Sequence, residues 1–135
     1  REDTRMIDTT VRGIISVWLG ISYQTIEEFS AYTHGLEDSR SGCPAFKDFG
    51  VSFIDTDFFV AYRTTNGEVL PVEELADEVD TNSLETLNSI VAAAKNKGIT
   101  HGNALYYYVN AKFTEENPGI LYNDLTFIGS FDDPE

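Results

Sequence analysis

Basic residues are scarce in this chain: Lys and Arg together number 9 against 23 Asp and Glu, which gives a formal net charge of −14. A protein that binds nucleic acid directly needs a basic surface that displaces counterions from the phosphates. A net charge this negative is also repelled by anionic membranes, whereas it attracts cationic partners. The composition therefore predicts no nucleic-acid partner and no membrane partner, and it favours a protein that binds a basic protein.

Cysteine is nearly absent as well. Cys43 is the single cysteine, so no disulfide can form within the chain, which favours a reducing compartment and a cytoplasmic location. Its surroundings lack the local pattern of a thiol nucleophile, so Cys43 is predicted to be a small buried hydrophobe.

No apolar run approaches the ~20 residues that a membrane helix needs. Residues 1–5 lack the apolar segment of a signal peptide. Since Met6 is the single methionine, we expect either that these five residues are disordered or foreign to the natural chain, or that the chain is a trimmed part of a longer product.

Groups for catalysis are equally sparse. His34 and His101 lie in separate polar segments, and no phosphate-binding glycine pattern is present. The chain is therefore predicted not to be an enzyme and to hold no cofactor and no metal. One alternative stays open. Asp48 is close in sequence to Asp55 and Asp57, which fall two apart at the start of a predicted strand, and three such carboxylates could bind Mg²⁺ for a small hydrolase.

Apolar periodicity divides the chain into strands and helices. Runs rich in β-branched and aromatic residues predict strands at 13–19, 53–64, 104–109 and 125–131. Helical spacing predicts a helix capped by Ser22, a short helix at 71–79, and a longer one at about 83–97 with Asn82 in its cap. This order predicts an α+β fold in a single domain of residues 1–135, with helices on one face of a mixed or antiparallel sheet of about four or five strands.

Aromatic residues supply the core of this predicted fold. Trp18, Phe49 and Phe58 each lie in an apolar run at the edge of a strand or helix, so all three are predicted to be buried and structural. Tyr106, Tyr107 and Tyr108 are consecutive in a predicted strand. Because side chains alternate between the faces of a sheet, at least one must point to a second face, covered either by helices or by a partner.

The acids are concentrated where bases are missing, since no Lys or Arg lies between Arg63 and Lys95. The helix at 71–79 is amphipathic with one acidic face. Like charges four residues apart destabilise it by about 0.2–0.5 kcal/mol each, whereas acids in the first turn gain about 0.3–1 kcal/mol from the helix dipole. These two contributions nearly cancel, so the stability of the helix gives no reason for or against an acidic face. We predict that the acidic face contacts a partner, together with the carboxylate that follows the helix and two carboxylates that precede it in the chain. The predicted contacts are Glu73, Glu74, Asp77, Glu78, Asp80, Asp55 and Asp57.

Three short segments, taken in order, resemble the bacterial immunity protein 22 family. They are residues 17–20 (Val-Trp-Leu-Gly), 46–50 (Phe-Lys-Asp-Phe-Gly) and 55–58 (Asp-Thr-Asp-Phe), and residues 125–131 are similar to the family's closing strand. The resemblance implies a small α+β protein, encoded beside its toxin, that binds and inactivates a toxin domain made by the same cell and has no enzymatic activity. The acidic stretch 68–80 departs from the family pattern, as expected of a segment that selects one partner.

The leading hypothesis is an immunity protein that neutralises a cationic RNA- or DNA-cleaving toxin of a contact-dependent or polymorphic system. Such nucleases have basic clefts because they hold phosphates, and an acidic protein complements them. The alternatives are the Mg²⁺-dependent hydrolase and an acidic scaffold that mimics nucleic acid. The free protein is expected to be a monomer or a weak dimer.

Overall fold

The structure is a computed structural model that describes residues 7–115 and 119–135. The prediction for residues 1–5 lies outside these ranges, and so do Asn117 and Pro118, which the sequence places in an irregular stretch between the last two predicted strands. The elements in chain order are β1 (Ile7–Asp8), β2 (Ile14–Gly20), α1 (Ile26–Tyr32), α2 (Ala45–Phe49), β3 (Phe59–Arg63), β4 (Leu70–Pro71), α3 (Val72–Leu75), a 3₁₀ helix (Ala76–Glu78), α4 (Leu84–Asn96), β5 (His101–Gly102), β6 (Ala104–Val109), β7 (Lys112–Phe113) and β8 (Leu125–Asp132).

A four-stranded antiparallel sheet in the order β3-β6-β2-β8 organises the molecule. Trp18 lies opposite Tyr106 on one side and opposite Phe127 on the other. The register between β2 and β8 shifts between Val17 and Trp18, so that Ile128 is an extra residue in β8. The pairs β1-β7 and β4-β5 form two small antiparallel ladders. The predicted α+β class, with an antiparallel sheet of four strands, is confirmed.

Helices cover both faces of this sheet. On one face Trp18 and Tyr106 pack with Phe29 of α1 and Phe49 of α2, forming the aromatic core. On the other face the central strands pack against α3 and α4 and form the aliphatic core. The prediction of helices on one face is corrected in this respect, because β2 and β6 are apolar at nearly every position and need cover on both sides. The same arrangement buries all three tyrosines of residues 106–108.

Helix boundaries differ from the predicted ones where a tertiary hydrogen bond competes for the capping residue. The first helix is capped by Thr25, which accepts from the Glu28 N–H at 3.1 Å while Glu28 accepts from the Thr25 N–H at 2.9 Å. The predicted cap, Ser22, instead donates its N–H to the side chain of Asn103 at 2.7 Å. In α4 the cap is Ser83, because Asn82 bonds Asp133.

The predicted strand at 53–64 is half as long in the structure. Residues 53–58 form a loop and turn, and the strand begins only at Phe59. Trp18 and Phe49 are fully buried as predicted, but Phe58 is 44% exposed, so the prediction that it is structural is wrong. Leu84, the first residue of α4, is also exposed. The short helix α2 was not predicted.

Candidate partner-binding surfaces

The acidic ridge is the exposed side of α3 and of the 3₁₀ helix that follows it. Its carboxylates are all exposed, while the apolar residues between them, among them Val72, Leu75 and Ala76, are fully buried in the aliphatic core. Burial of one side of so short a segment forces every acid onto the other side. The ridge is formed by Glu73, Glu74, Asp77, Glu78 and Asp80.

One residue of the ridge has a cationic partner. Lys95 of α4 donates from Nζ to Glu73 Oε2, and this hydrogen bond is the largest cause that holds the pKa of Glu73 below its usual value. Although no Lys or Arg lies between Arg63 and Lys95 in the sequence, Glu73 thus has a cationic partner in space. In the described part of the chain no ion pair engages the other four ridge carboxylates, which stay available to a partner.

The predicted pair Asp55 and Asp57 does not lie in a strand. Both residues belong to the turn before β3, where Asp55 Oδ1 accepts from the Asp57 N–H at 2.9 Å and the Asp55 carbonyl accepts from the Phe58 N–H at 3.1 Å. This local hydrogen bonding is typical of aspartate in turns. The Asp55 carboxylate thus shapes the turn, and the expected strand geometry with both acids on one side is corrected.

The predicted contact residues fall on opposite faces of the sheet. Asp80, at the end of the ridge, lies against Tyr107, whereas Asp55 lies against Tyr108. Burial raises the pKa of both tyrosines, and the neighbouring carboxylates raise it further. Because the two tyrosines are consecutive in β6, their side chains point in opposite directions. The seven predicted residues therefore form two surfaces that meet around the same end of β6.

Asp48 is separate from both surfaces. It is partly buried in α2, and its Oδ2 accepts a 2.5 Å hydrogen bond from the Tyr32 hydroxyl. Burial raises the pKa of Asp48, although the hydrogen bond from Tyr32 opposes that change. Across residues 7–115 and 119–135, no group of three or more His, Cys, Asp or Glu side chains is placed to hold a metal ion. The structure thus does not gather Asp48, Asp55 and Asp57 into the magnesium site of the hydrolase alternative.

We expect Asp48→Asn to leave stability at pH 7 within about 1 kcal/mol of wild type, because the amide oxygen still accepts from Tyr32 and no charge is buried. The pKa of Asp48 is raised by folding, so the charged form is disfavoured in the folded state and wild type gains stability relative to the variant as the pH falls through that raised pKa. Urea unfolding of both proteins from pH 7 down to pH 4 measures the difference. A constant difference across this range would show that folding leaves the Asp48 pKa unchanged.

The remaining candidates from the sequence have ordinary roles. Cys43 is buried, as predicted, and its Sγ donates to the Tyr32 carbonyl at 3.2 Å. His34 and His101 are both exposed. His101 forms a hydrogen bond through Nδ1 with the Thr100 hydroxyl at 3.0 Å.

None of the helices in the described ranges combines the length and the apolar character that spanning a membrane requires.

A second surface was not predicted: a groove of about 1120 Å³, which we call the aromatic groove. It is lined by residues 7, 9–12, 50–55, 58, 108–110 and 135. Phe53 and Phe58 stand at its edge, 54% and 44% exposed. Two large aromatic rings so close together on a surface are typical of a partner-binding site. In the sequence these rings belong to two adjacent apolar pairs, Phe53–Ile54 and Phe58–Phe59, both of which fall within the single strand predicted at 53–64.

A family model described as immunity protein 22 matches residues 15–132. This range begins at the second residue of β2 and ends with the last residue of β8, so it contains all but one residue of the four-stranded sheet. It also contains the acidic ridge and most of the aromatic groove. No curated protein and no solved structure matches the chain.

Proposed function

The chain belongs to the immunity protein 22 family, whose function is to neutralise toxins, and we propose that the toxin bound by this chain is a cationic nuclease. The observation that supports this proposal is the acidic ridge. Four of its carboxylates, Glu74, Asp77, Glu78 and Asp80, are exposed without an ion-pair partner in the part of the chain that the structure describes. They are carried by a protein of net charge −14.

Charge complementarity links this surface to a nuclease. A nuclease must hold phosphates, so its cleft or the rim of the cleft is basic, and a clustered set of carboxylates is attracted to the same groups. A carboxylate that becomes buried against a toxin Lys or Arg is expected to cost about 2–5 kcal/mol of binding free energy when removed. Carboxylates at the rim act chiefly on the association rate. The exposed carboxylates of the ridge are accessible for either kind of contact.

Neutralisation by binding requires no chemistry from the immunity protein. The hydrolase alternative has no support in the described residues, since Asp48 is engaged by Tyr32 and Asp55 by its own turn. The second alternative, an acidic scaffold that mimics nucleic acid, uses the same charges but without selection of a partner. Specificity for one toxin therefore separates it from the proposed function.

We expect the protein to inhibit, at a ratio of one to one, the nuclease domain encoded by the neighbouring reading frame, and to cleave neither RNA nor DNA by itself with Mg²⁺ or Mn²⁺ present. Fluorogenic RNA and DNA substrates measure both activities. An unrelated basic ribonuclease serves as the control and should stay active at the same protein concentration. Equal inhibition of both nucleases would indicate a nucleic-acid mimic. Cleavage by the protein alone that disappears in the Asp55→Asn, Asp57→Asn double variant would indicate the hydrolase.

A further inference from the structure

We propose that the aromatic groove receives an apolar side chain of the toxin that is flanked by Lys or Arg, and that this contact sets the lifetime of the complex. The inference rests on the proposed function, because it names the part of the toxin that this second surface recognises. It assigns the groove a different role from the acidic ridge, which lies on the other face of the sheet.

The two exposed rings are held outward by buried neighbours. Ile54 is 1% exposed, and its N–H donates to the Leu36 carbonyl at 2.9 Å. Phe59 is buried in the aromatic core, and the Phe58 carbonyl accepts from the Val109 N–H at 2.8 Å. Phe53 and Phe58 therefore cannot turn into the core without breaking these contacts. Rings fixed at a surface lose little entropy when a partner covers them, which favours tight binding.

The other sides of the groove are also ordered before a partner binds. Tyr108, 4% exposed, is part of the lining. A second part of the lining, residues 9–12, contains a turn in which Asp8 Oδ1 accepts from the Thr10 N–H at 2.8 Å and from the Thr10 hydroxyl at 2.5 Å. Gly13 then donates its N–H to Asn110 Oδ1 at 3.0 Å. The result is a preformed concave surface with apolar edges, as sites for an inserted side chain commonly are.

Charge distinguishes between the possible occupants. Asp55 and Glu135 line the groove, and Asp57 is bonded to Asp55 through its own N–H. Glu37 is close by, since it accepts from the Thr56 N–H at 3.0 Å. Arg12 is the one basic residue among the described residues of the lining. The surroundings are thus negative, which favours a cationic segment and disfavours a second copy of a chain of net charge −14.

The test compares the Phe53→Ala, Phe58→Ala double variant with wild type for binding to the nuclease domain of the neighbouring reading frame. We expect binding about 30-fold weaker, with most of the change in the dissociation rate, as for aromatic anchors at the centre of interfaces. Tyr23→Ala is the matched control. Tyr23 is 89% exposed but follows the far end of β2, about 20 Å along the strand from the groove, and its removal should change binding less than about 2-fold.

A second variant tests the groove without altering the loop of residues 51–58. Thr9→Arg adds bulk and positive charge to the part of the lining formed by residues 9–12, where Thr9 is exposed, and we expect a loss of binding similar to that of the double variant. If wild type binds the nuclease domain and both variants bind equally well, the groove inference is wrong while the proposed function stands. If wild type does not bind, the proposed function itself fails. A wild-type dimer that the double variant dissociates, with toxin binding unchanged, would make the groove a self-association surface and overturn the inference.

Discussion

Trp18→Ala is expected to lower the free energy of unfolding by about 3–5 kcal/mol. Trp18 is fully buried at the middle of the central strand β2. Its ring packs against rings from other elements of the fold, with centroid distances of 5.1 Å to Phe49, 5.2 Å to Phe113 and 5.3 Å to Phe127. These partners come from α2, β7 and β8, which the sheet holds apart, so the cavity left by alanine cannot close.

Urea or thermal unfolding measures this loss, and two further variants show its cause. Trp18→Phe should cost less than about 1.5 kcal/mol, because much of the ring volume remains. The Trp18 Nε1–H is buried and has no hydrogen-bond partner among the described residues, so phenylalanine removes an unsatisfied donor as well. Phe58→Ala should cost less than about 1 kcal/mol because that ring is exposed. A Trp18→Ala melt within two degrees of wild type would contradict the aromatic core.

The strands and the long helix could be predicted because their signals are local. Residues 14–20 and 104–109 are apolar runs rich in β-branched and aromatic side chains, and α4 shows a helical period with Lys95 and Gly98 at its end. Capping residues were less predictable. Ser22 and Thr25 have similar capping preferences, but the backbone N–H and carbonyl of Ser22 are bonded to the side chain of Asn103, 81 positions away, which fixes Ser22 before the helix. Such a pairing exists only once the sheet has formed.

The two candidate surfaces also differ in how far the sequence could predict them. The acidic ridge is a property of one continuous segment, so its position could be predicted, apart from the Lys95–Glu73 pair, whose members are 22 positions apart. The aromatic groove brings together residues near 10, 53 and 109 from three separate parts of the chain. Its edge is exposed because Ile54 and Phe59 occupy the inward positions. The sequence could not indicate which side chain of each adjacent pair, Phe53–Ile54 and Phe58–Phe59, would be left outside.

Ridge and groove are expected to act on different steps of binding. Exposed charges attract a partner over distances of about a Debye length, roughly 8 Å at physiological salt, and so change the rate of encounter. Buried aromatic contacts form only after docking and so change the rate of dissociation. Asp80, at the end of the ridge, and Asp55, beside the groove, lie against consecutive tyrosines of β6. The field of the ridge can therefore direct a basic partner towards the end of the sheet where the groove lies.

Converting the four ridge carboxylates without an ion-pair partner to amides (Glu74→Gln, Asp77→Asn, Glu78→Gln, Asp80→Asn) should slow association with the nuclease domain about 10- to 100-fold at 50 mM salt. Glu73 is left unchanged because Lys95 already pairs with it. The folded state should tolerate the change, since the repulsion between like charges and the loss of dipole stabilisation nearly cancel. The dissociation rate should change by less than about 3-fold if these carboxylates lie at the rim of the interface.

A matched variant separates the local effect of the ridge from the effect of net charge. Glu27, Glu85, Asp124 and Asp132 are also exposed, and their conversion to amides removes the same number of charges elsewhere on the surface. We expect this control to slow association less than about 3-fold, because its charges are spread over the molecule.

Stopped-flow association at 50 and 500 mM salt compares wild type with both variants. At 500 mM the three rates should converge, since screening then acts within a few ångströms. Equal rates for wild type and the ridge variant at both salt concentrations would exclude recognition through the ridge, and the groove alone would remain as the surface on which the toxin binds.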